Sequence, residues 1–138
     1  MTQVAIRLFF AAGHRILGLS GAGTKCRNPH GHTFHVVFTF AQTDAWPPPV
    51  EFGEAKAALR QRIKERYDHG FFVDEADESM RIFLEREGCR HHVFHGPPTT
   101  EQIAKLMARE AQALVPGAQL LRVSVEEGPE NTAIYEPP

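Results

Sequence analysis

Cysteine is scarce in this sequence, and long apolar segments are missing altogether. Only two cysteines occur among the 138 residues, Cys26 and Cys89. A chain of this length can bury a hydrophobic core without covalent cross-links, so we expect no disulfide framework. No apolar run approaches the length of a membrane span, and the N-terminal segment lacks the features of a signal peptide. The sequence therefore predicts a cytoplasmic protein that has free thiols and no membrane partner.

An excess of positive charge is also lacking. The 15 basic and 17 acidic residues give a formal net charge of -2. No overall positive field exists to attract nucleic acid, so we expect no nucleic-acid partner, and an anionic substrate needs a local basic pocket. Hydrophobic residues make up 42% of the chain, a share that is ordinary for a globular protein. We expect one domain over residues 1–138.

Histidine, by contrast, is abundant, with eight residues, and two of the predicted strands carry some of them. Apolar residues alternate with polar ones from Val4 to His14, which predicts a strand with one buried face. His14 extends that apolar face. The glycine-containing segment 15–29 is typical of a loop, and a second alternating strand begins near Gly31 and runs to Phe40. Two long strands joined by one loop predict an antiparallel pair.

The remaining pattern predicts helices followed by two more strands. Three prolines, 47–49, end the second strand, and apolar residues at helical spacing predict a helix over 52–67. An irregular segment follows, with a short helix over 75–87 that Gly88 ends. Thr99 opens a further helix as its N-cap, and strands follow over 121–127 and 133–135. The order ββααββ predicts an α+β fold, an antiparallel sheet with two main helices packed on one face.

His30 and His32 lie two residues apart, and this spacing directs both imidazoles to one face of a strand. An antiparallel neighbour would bring His14 beside them, giving three nitrogen donors and an open fourth position, as in a catalytic zinc site. Two alternatives remain open. The histidines can be ordinary surface or core residues, or Cys26 can close the site as a fourth, structural ligand.

Three further groups are candidates for chemistry. The basic neighbours Lys25 and Arg27 favour the thiolate form of Cys26, which can then act as a base. Asp68 and His69 follow the first helix and can relay protons, or His69 can simply stabilise the helix end.

Glu127 ends the apolar face of a late strand, where a buried carboxylate needs a donor. A ligand with a guanidine-like pair of N–H groups would supply that donor, and an internal salt bridge is the alternative.

We interpret His91, His92 and His95 as mainly surface residues, and Cys89 as an inert thiol.

Six motifs occur in an order that resembles the 6-pyruvoyl-tetrahydropterin synthase and 6-carboxy-tetrahydropterin synthase family of the tunnelling fold. They run nearly from end to end of the chain. They are Phe-Ala-Ala-Gly-His-Arg (10–15), Cys-Arg-Asn-Pro-His-Gly-His (26–32), Glu-Phe-Gly-Glu-Ala-Lys (51–56), Asp-His (68–69), Pro-Thr-Thr-Glu (98–101) and Val-Glu-Glu (125–127). Each is weak alone, and together they are specific.

The resemblance implies a zinc enzyme acting on 7,8-dihydroneopterin triphosphate. It implies that zinc is bound by three residues, His14, His30 and His32. It implies that Cys26 abstracts a proton and that Asp68 with His69 handles a second one. It implies that the substrate is held by Glu127, with the helix-start residues Thr99, Thr100 and Glu101. Three basic residues are candidates for the triphosphate or form a solvated loop: Arg15, Lys25 and Arg27.

The resemblance further implies a homohexamer, a dimer of trimers whose sheets close into barrels and whose active sites lie at subunit interfaces. Three residues between Cys26 and His30 resemble the 6-carboxy branch of queuosine and deazapurine biosynthesis. The longer segment 74–97, Gly70 and Gly13 depart from the family pattern. The alternatives are a 6-pyruvoyl-tetrahydropterin synthase and a non-catalytic pterin-binding zinc protein.

Overall fold

The computed structural model describes all residues, 1–138. Six strands, three α-helices and one 3-10 helix follow one another along the chain. In order they are β1 (Thr2–His14), the 3-10 helix (Gly21–Arg27), β2 (His30–Gln42), α1 (Phe52–Arg66), β3 (Gly70–Asp74), α2 (Glu78–Arg86), β4 (His91–Phe94), α3 (Thr100–Leu114), β5 (Leu120–Glu127) and β6 (Thr132–Tyr135). The α+β fold predicted from the sequence is confirmed.

All six strands form one sheet in the order β4-β3-β1-β2-β5-β6. β1 and β2 are antiparallel along their full length, from the pair Thr2 and Gln42 to the pair His14 and His30. β5 and β6 continue the sheet in antiparallel fashion. The predicted antiparallel arrangement therefore holds for these four strands, and it places the ends of β1 and β2 that carry histidines side by side.

The sheet as a whole is mixed, because the segment predicted as irregular contributes two parallel strands. β3 pairs in parallel with the end of β1, and β4 pairs in parallel with β3. Phe72 and Val73 are consecutive in β3 and both buried. A strand covered on both faces shows no alternation of apolar and polar residues, which is why the period of two did not reveal it. The short helix α2 ends as predicted, with Gly88 at a positive φ of 67°.

The core lies between one face of the sheet and the helices α1 and α3. One cluster of 25 buried residues combines the inward residues of the strands with Leu59 and Ile63 of α1 and Ile103 and Met107 of α3. The prediction of two main helices on one face is confirmed. None of the helices combines the length and the apolar composition that a membrane span requires.

A β-bulge changes one inward residue of β5. The pairing with β2 shifts between Thr39 and Phe40, so Leu120 rather than Leu121 fills the core position at the start of the strand. Beyond the bulge the predicted parity holds, since Val123 and Val125 are buried. Glu127 therefore ends the strand on the core side, next to the histidines.

Candidate metal and substrate site

Three histidine side chains converge where β1 and β2 meet the start of α3. His14 lies opposite His30 in the antiparallel pair, and His32 lies opposite Ala12. The candidate ligand atoms of the three imidazoles all lie within 4.8 Å of one another. Strand parity brings the two residues of β2 to one face, and the register adds the third from β1. The chain thus places together the three residues that the sequence predicted as ligands.

Backbone carbonyls orient two of these rings. His14 Nδ1 lies 2.8 Å from the carbonyl oxygen of Pro98, and His30 Nδ1 lies 2.7 Å from that of Asn28. A ring that donates from Nδ1 keeps the lone pair of Nε2 free, which is the arrangement found in metal-bound histidines. Nε2 of His32 is buried and has no hydrogen-bond partner in the chain. A bound cation would satisfy this atom.

The charge state of His14 also suits a metal ion. Burial lowers the pKa of this imidazole, and the neighbouring His30 lowers it further, while the Pro98 carbonyl and Glu127 raise it by less. The ring is therefore neutral at pH 7, as a metal ligand must be. The donor cluster consists of the three histidines and does not include Cys26. These three histidines can hold a metal ion.

Glu127 borders the histidine cluster without forming a close ion pair with it. One carboxylate oxygen, Oε2, lies 3.8 Å from Nε2 of both His14 and His32. The hydroxyl of the buried residue Thr100 donates a hydrogen bond to the same oxygen. The other oxygen, Oε1, accepts no hydrogen bond within the chain, so this carboxylate can still accept from a ligand.

The remaining residues of the α3 start have different surroundings. Thr99 is the N-cap, and its Oγ1 accepts from the Gln102 backbone N–H at 3.3 Å. Glu101 is exposed and takes part in no hydrogen bond or ion pair through its side chain. Thr100 alone of the three contacts Glu127, while the substrate-binding roles of all three remain predictions.

Cys26 lies in the 3-10 helix of the loop between β1 and β2. Its thiol is partly exposed, and its carbonyl oxygen accepts from the backbone N–H of Ile16 at 2.8 Å. Lys25 and Arg27 flank it in the last turn of that helix and are exposed. The loop that carries the thiol is thereby attached to the residues just after His14.

Arg15 is already engaged within the chain. Its Nε lies 2.6 Å from Asp77 Oδ2, and a terminal nitrogen donates to Asp77 Oδ1 and to Ser79. Asp77 is the buried N-cap of α2. One edge of the guanidinium is therefore committed to this pair, and the proposed contact of Arg15 with triphosphate remains a prediction.

Asp68 and His69 lie at the edge of β1 where β3 begins. Asp68 Oδ1 accepts from the Ala11 N–H at 3.0 Å, and Oδ2 lies 3.0 Å from His69 Nδ1. Partial burial raises the pKa of the Asp68 carboxyl, but the Ala11 N–H and His69 lower it more, so it lies below its ordinary value. The His69 side chain is 82% exposed. This Asp-His pair is preformed and faces outward.

A shallow open groove over β1 and β2 includes both His32 and His69 in its lining. Its floor contains Gly13 and Gly31, which lie opposite each other in the strand pair. A Cβ on Gly13 would lie 2.7 Å from the Phe71 ring, so glycine is favoured at this position. At Gly70 a Cβ would lie 2.9 Å from the carbonyl oxygen of Tyr67, so a side chain is disfavoured there too.

Sequence reasoning missed the groups that surround the ligands. The carbonyls of Pro98 and Asn28 have no signature in the sequence, because every residue carries a carbonyl. Asp77 could have been found as an N-cap, since an aspartate three residues before Met80 opens the helical segment. The pairing of Asp77 with Arg15 over 62 residues depends on the tertiary structure.

The second histidine group does not form a metal cluster. His91 bonds to the Cys89 carbonyl oxygen through Nδ1 at 2.7 Å, and His95 lies 2.8 Å from Glu75. His92 is partly buried among the aromatic rings of Tyr67 and Phe94. Cys89 is exposed and free.

Comparisons with known proteins identify the family of this chain. The sequence profile of the family described as 6-pyruvoyl tetrahydropterin synthase matches residues 3–138. A comparison with curated proteins found no match. An uncharacterised protein of Wolinella succinogenes is similar in structure, with a TM-score of 0.80 and 21% identity over 99% of this chain and 98% of that chain.

Two enzymes with assigned activities are similar as well. The 6-pyruvoyl tetrahydropterin synthase of Caenorhabditis elegans gives a TM-score of 0.66 at 20% identity, over 100% of this chain and 98% of that one. A catalytic-residue variant of the Plasmodium vivax enzyme, glutamate to alanine, gives 0.72 at 14% identity, over 99% and 97%. At these identities the likeness establishes the fold, which is that of the tunnelling-fold enzymes.

Proposed function

Because this chain belongs to the 6-pyruvoyl tetrahydropterin synthase family, we propose that it is a zinc-dependent lyase of pterin metabolism. The preferred reaction converts 7,8-dihydroneopterin triphosphate to 6-carboxy-5,6,7,8-tetrahydropterin, with release of acetaldehyde and triphosphate. The observation that carries this proposal is the convergence of three histidine donors beside Glu127. Members of the family are lyases, and its enzymes act on pterins.

The donor set supports zinc as the metal. Zinc in catalytic sites is commonly held by three protein ligands, with a fourth position left for water or substrate. Three histidines are one of the known ligand combinations. Here His14, His30 and His32 would be those ligands, and the orphaned Nε2 of His32 is the atom that most needs the cation. When bound, zinc would polarise the hydroxyl groups of the substrate side chain and stabilise negative charge that develops there.

The residues around the histidines suggest how the pterin is held. The two oxygens of the Glu127 carboxylate would accept from the amino group and the ring N–H of the aminopyrimidine, one donor to each oxygen, which is a bidentate arrangement that a carboxylate matches well. Thr100 holds the carboxylate in place through its bond to Oε2. This pairing fixes the ring, so that the side chain of the substrate extends toward the histidines.

Proton transfer falls to two groups. Cys26 is the base that removes a carbon-bound proton from the substrate side chain. His69 exchanges the second proton, and the ionised Asp68 beside it orients the ring. Since the His69 side chain is exposed, we propose that it serves the site of a neighbouring subunit in a hexamer made of two trimers.

The spacing of Cys26 and His30 favours the carboxy-forming reaction over the pyruvoyl-forming one. The pyruvoyl reaction is the second candidate, because the similar enzymes of Caenorhabditis elegans and Plasmodium vivax carry that name. Incubation of zinc-loaded protein with dihydroneopterin triphosphate separates the two. Acetaldehyde with a carboxylated pterin supports the first, and a pyruvoyl pterin supports the second. No turnover with bound pterin indicates a non-catalytic pterin-binding protein.

A further inference from the structure

A groove between β4 and α3 presents free hydrogen-bond donors that the proposed function does not use. Its polar lining is contributed by His92, His95, Gln102 and Arg109, together with Thr99, whose hydroxyl is engaged as the N-cap of α3. The loop 96–99 forms one wall, and the same loop supplies the Pro98 carbonyl that orients His14. No acidic residue lines the groove.

Arg109 carries the full positive charge of this groove, and its guanidinium has no acidic partner. It takes part in none of the ion pairs of the chain. The adjacent Glu110 is engaged elsewhere, by Arg62 at 2.7 Å and Arg66 at 3.8 Å. The guanidinium of Arg109 thus keeps its five donors available to a ligand.

Two neutral groups lie beside this cation. The side-chain amide of Gln102 makes no hydrogen bond within the chain, and only the backbone N–H of this residue is engaged, by Thr99. The His92 ring is packed edge-on against three aromatic rings, so its orientation is fixed. Burial lowers the pKa of His92, and the charge of Arg109 lowers it further, so the ring is neutral and offers one N–H donor. His95 is held at the rim by Glu75.

We propose that this groove binds a phosphate-bearing anion, with Arg109 as the charge partner and Gln102 and His92 as further donors. A guanidinium fork with two neutral donors at other angles suits a tetrahedral oxyanion, whose several oxygens accept from different directions. The anion is either the phosphate chain of a substrate or a separate phosphate ion, and both present the same chemistry. Its contact with the loop 96–99 places it one loop away from His14.

Inorganic triphosphate is the probe for this site. We expect calorimetric titration to show binding that Arg109→Ala weakens about tenfold or more, since the variant loses the charge-assisted hydrogen bonds of the guanidinium. Arg109→Lys should fall between the two. Arg86→Ala, which removes an exposed arginine of α2, is the matched control and should bind like the unmodified chain. NMR signals of the Gln102 side-chain amide and the His92 ring should shift on titration in the unmodified protein.

Equal losses in Arg109→Ala and Arg86→Ala would mean that only overall charge matters and would overturn the proposal. So would a loss confined to a Lys25→Ala, Arg27→Ala double variant, which would assign the anion to the loop of Cys26. Competition between inorganic triphosphate and dihydroneopterin triphosphate would assign the groove to the substrate, and simultaneous binding would assign it to a separate ion. The binding measurement requires no turnover, so its failure is distinct from failure of the lyase proposal.

Discussion

Nε2 of His32 is the one buried side-chain nitrogen or oxygen of the chain that lacks a hydrogen-bond partner. An unsatisfied buried polar atom costs about 1–3 kcal/mol, so a protein that keeps one has something else to bind there. The same strand carries His35, whose side chain faces the other side of the sheet and is exposed. His32 and His35 are therefore a matched pair: both are histidines of β2, but they lie on opposite faces of the sheet and differ in burial.

His32→Ala should therefore lower zinc affinity by more than about 100-fold, because even the loss of a supporting group around a metal ligand costs 10–100-fold. His35→Ala should leave zinc affinity unchanged. Metal analysis after dialysis against a graded series of chelator concentrations measures both. Equal zinc content in the two variants would remove His32 from the ligand set.

The two cysteines provide a second comparison at the residue scale. Cys26→Ala should retain zinc and lose turnover by about 10²–10⁴-fold, the range for removal of a general acid or base. Cys89→Ala removes the exposed cysteine that precedes β4, and this variant should retain both zinc and turnover. Steady-state rates with metal content measured on the same samples make the test. Loss of zinc from Cys26→Ala would instead favour a sealed four-ligand site.

At the scale of elements, the ion pair between Asp77 and Arg15 links the start of α2 to the end of β1. The hydrogen bond from Arg15 lowers the pKa of the Asp77 carboxyl below its ordinary value, although burial opposes this. A lowered folded-state pKa means that the pair stabilises the fold above the unfolded pKa of about 3.9. The stabilisation is lost as the pH falls through the folded-state pKa.

Asp77→Asn should consequently destabilise the chain by ~2 kcal/mol at pH 7, the scale of hydrogen bonds to charged groups. Asparagine still caps the helix, so the change isolates the charge. Urea unfolding at pH 7 and at pH 3 should show the difference shrinking at the lower pH. Glu78→Gln, next to it and without an ion pair, is the control. A loss that is as large at pH 3 as at pH 7 would contradict the ion pair as its source.

At the scale of the whole molecule, the sheet has unpaired edges. β3 pairs with β1 only at residues 12–14, so the stretch Thr2–Phe10 has no partner on that side. The short strand β6 forms the opposite edge of the sheet. Unpaired edges readily pair with another chain, and Phe9 and Ile134 near these edges are largely exposed. These features favour the proposed assembly, in which sheets of several subunits join.

A shared active site makes a specific prediction for mixtures. Cys26→Ala and His69→Asn should each be inactive, and co-refolding equal amounts should restore about a quarter of the sites, since random assembly pairs two intact contributors at that frequency. Asparagine is chosen because it tolerates the positive φ of 60° at this position. Activity after mixing, with native mass spectrometry for subunit number, measures the outcome. No recovery in a mixed oligomer would place both groups in one chain.

Local sequence pattern was enough for much of this molecule. The alternation that ends in His14 and the His30–His32 spacing predicted one face for the ligands, because side chains of a strand alternate whatever the sheet around it. Thr99 was identifiable as an N-cap, since a cap acts within one helical turn. The ordered motifs are sufficient to indicate the family.

Tertiary structure alone decided what depends on residues far apart in the chain. The parallel strands β3 and β4 escaped detection because they are short and β3 is buried on both faces. The carbonyl of Pro98 reaches His14 across 84 positions, and Asp77 reaches Arg15 across 62. Glycine at position 13 is favoured by the close approach of the Phe71 ring rather than by its own strand. Strand parity is a local property, whereas contacts of this kind exist only once the sheet has formed and its helices have packed.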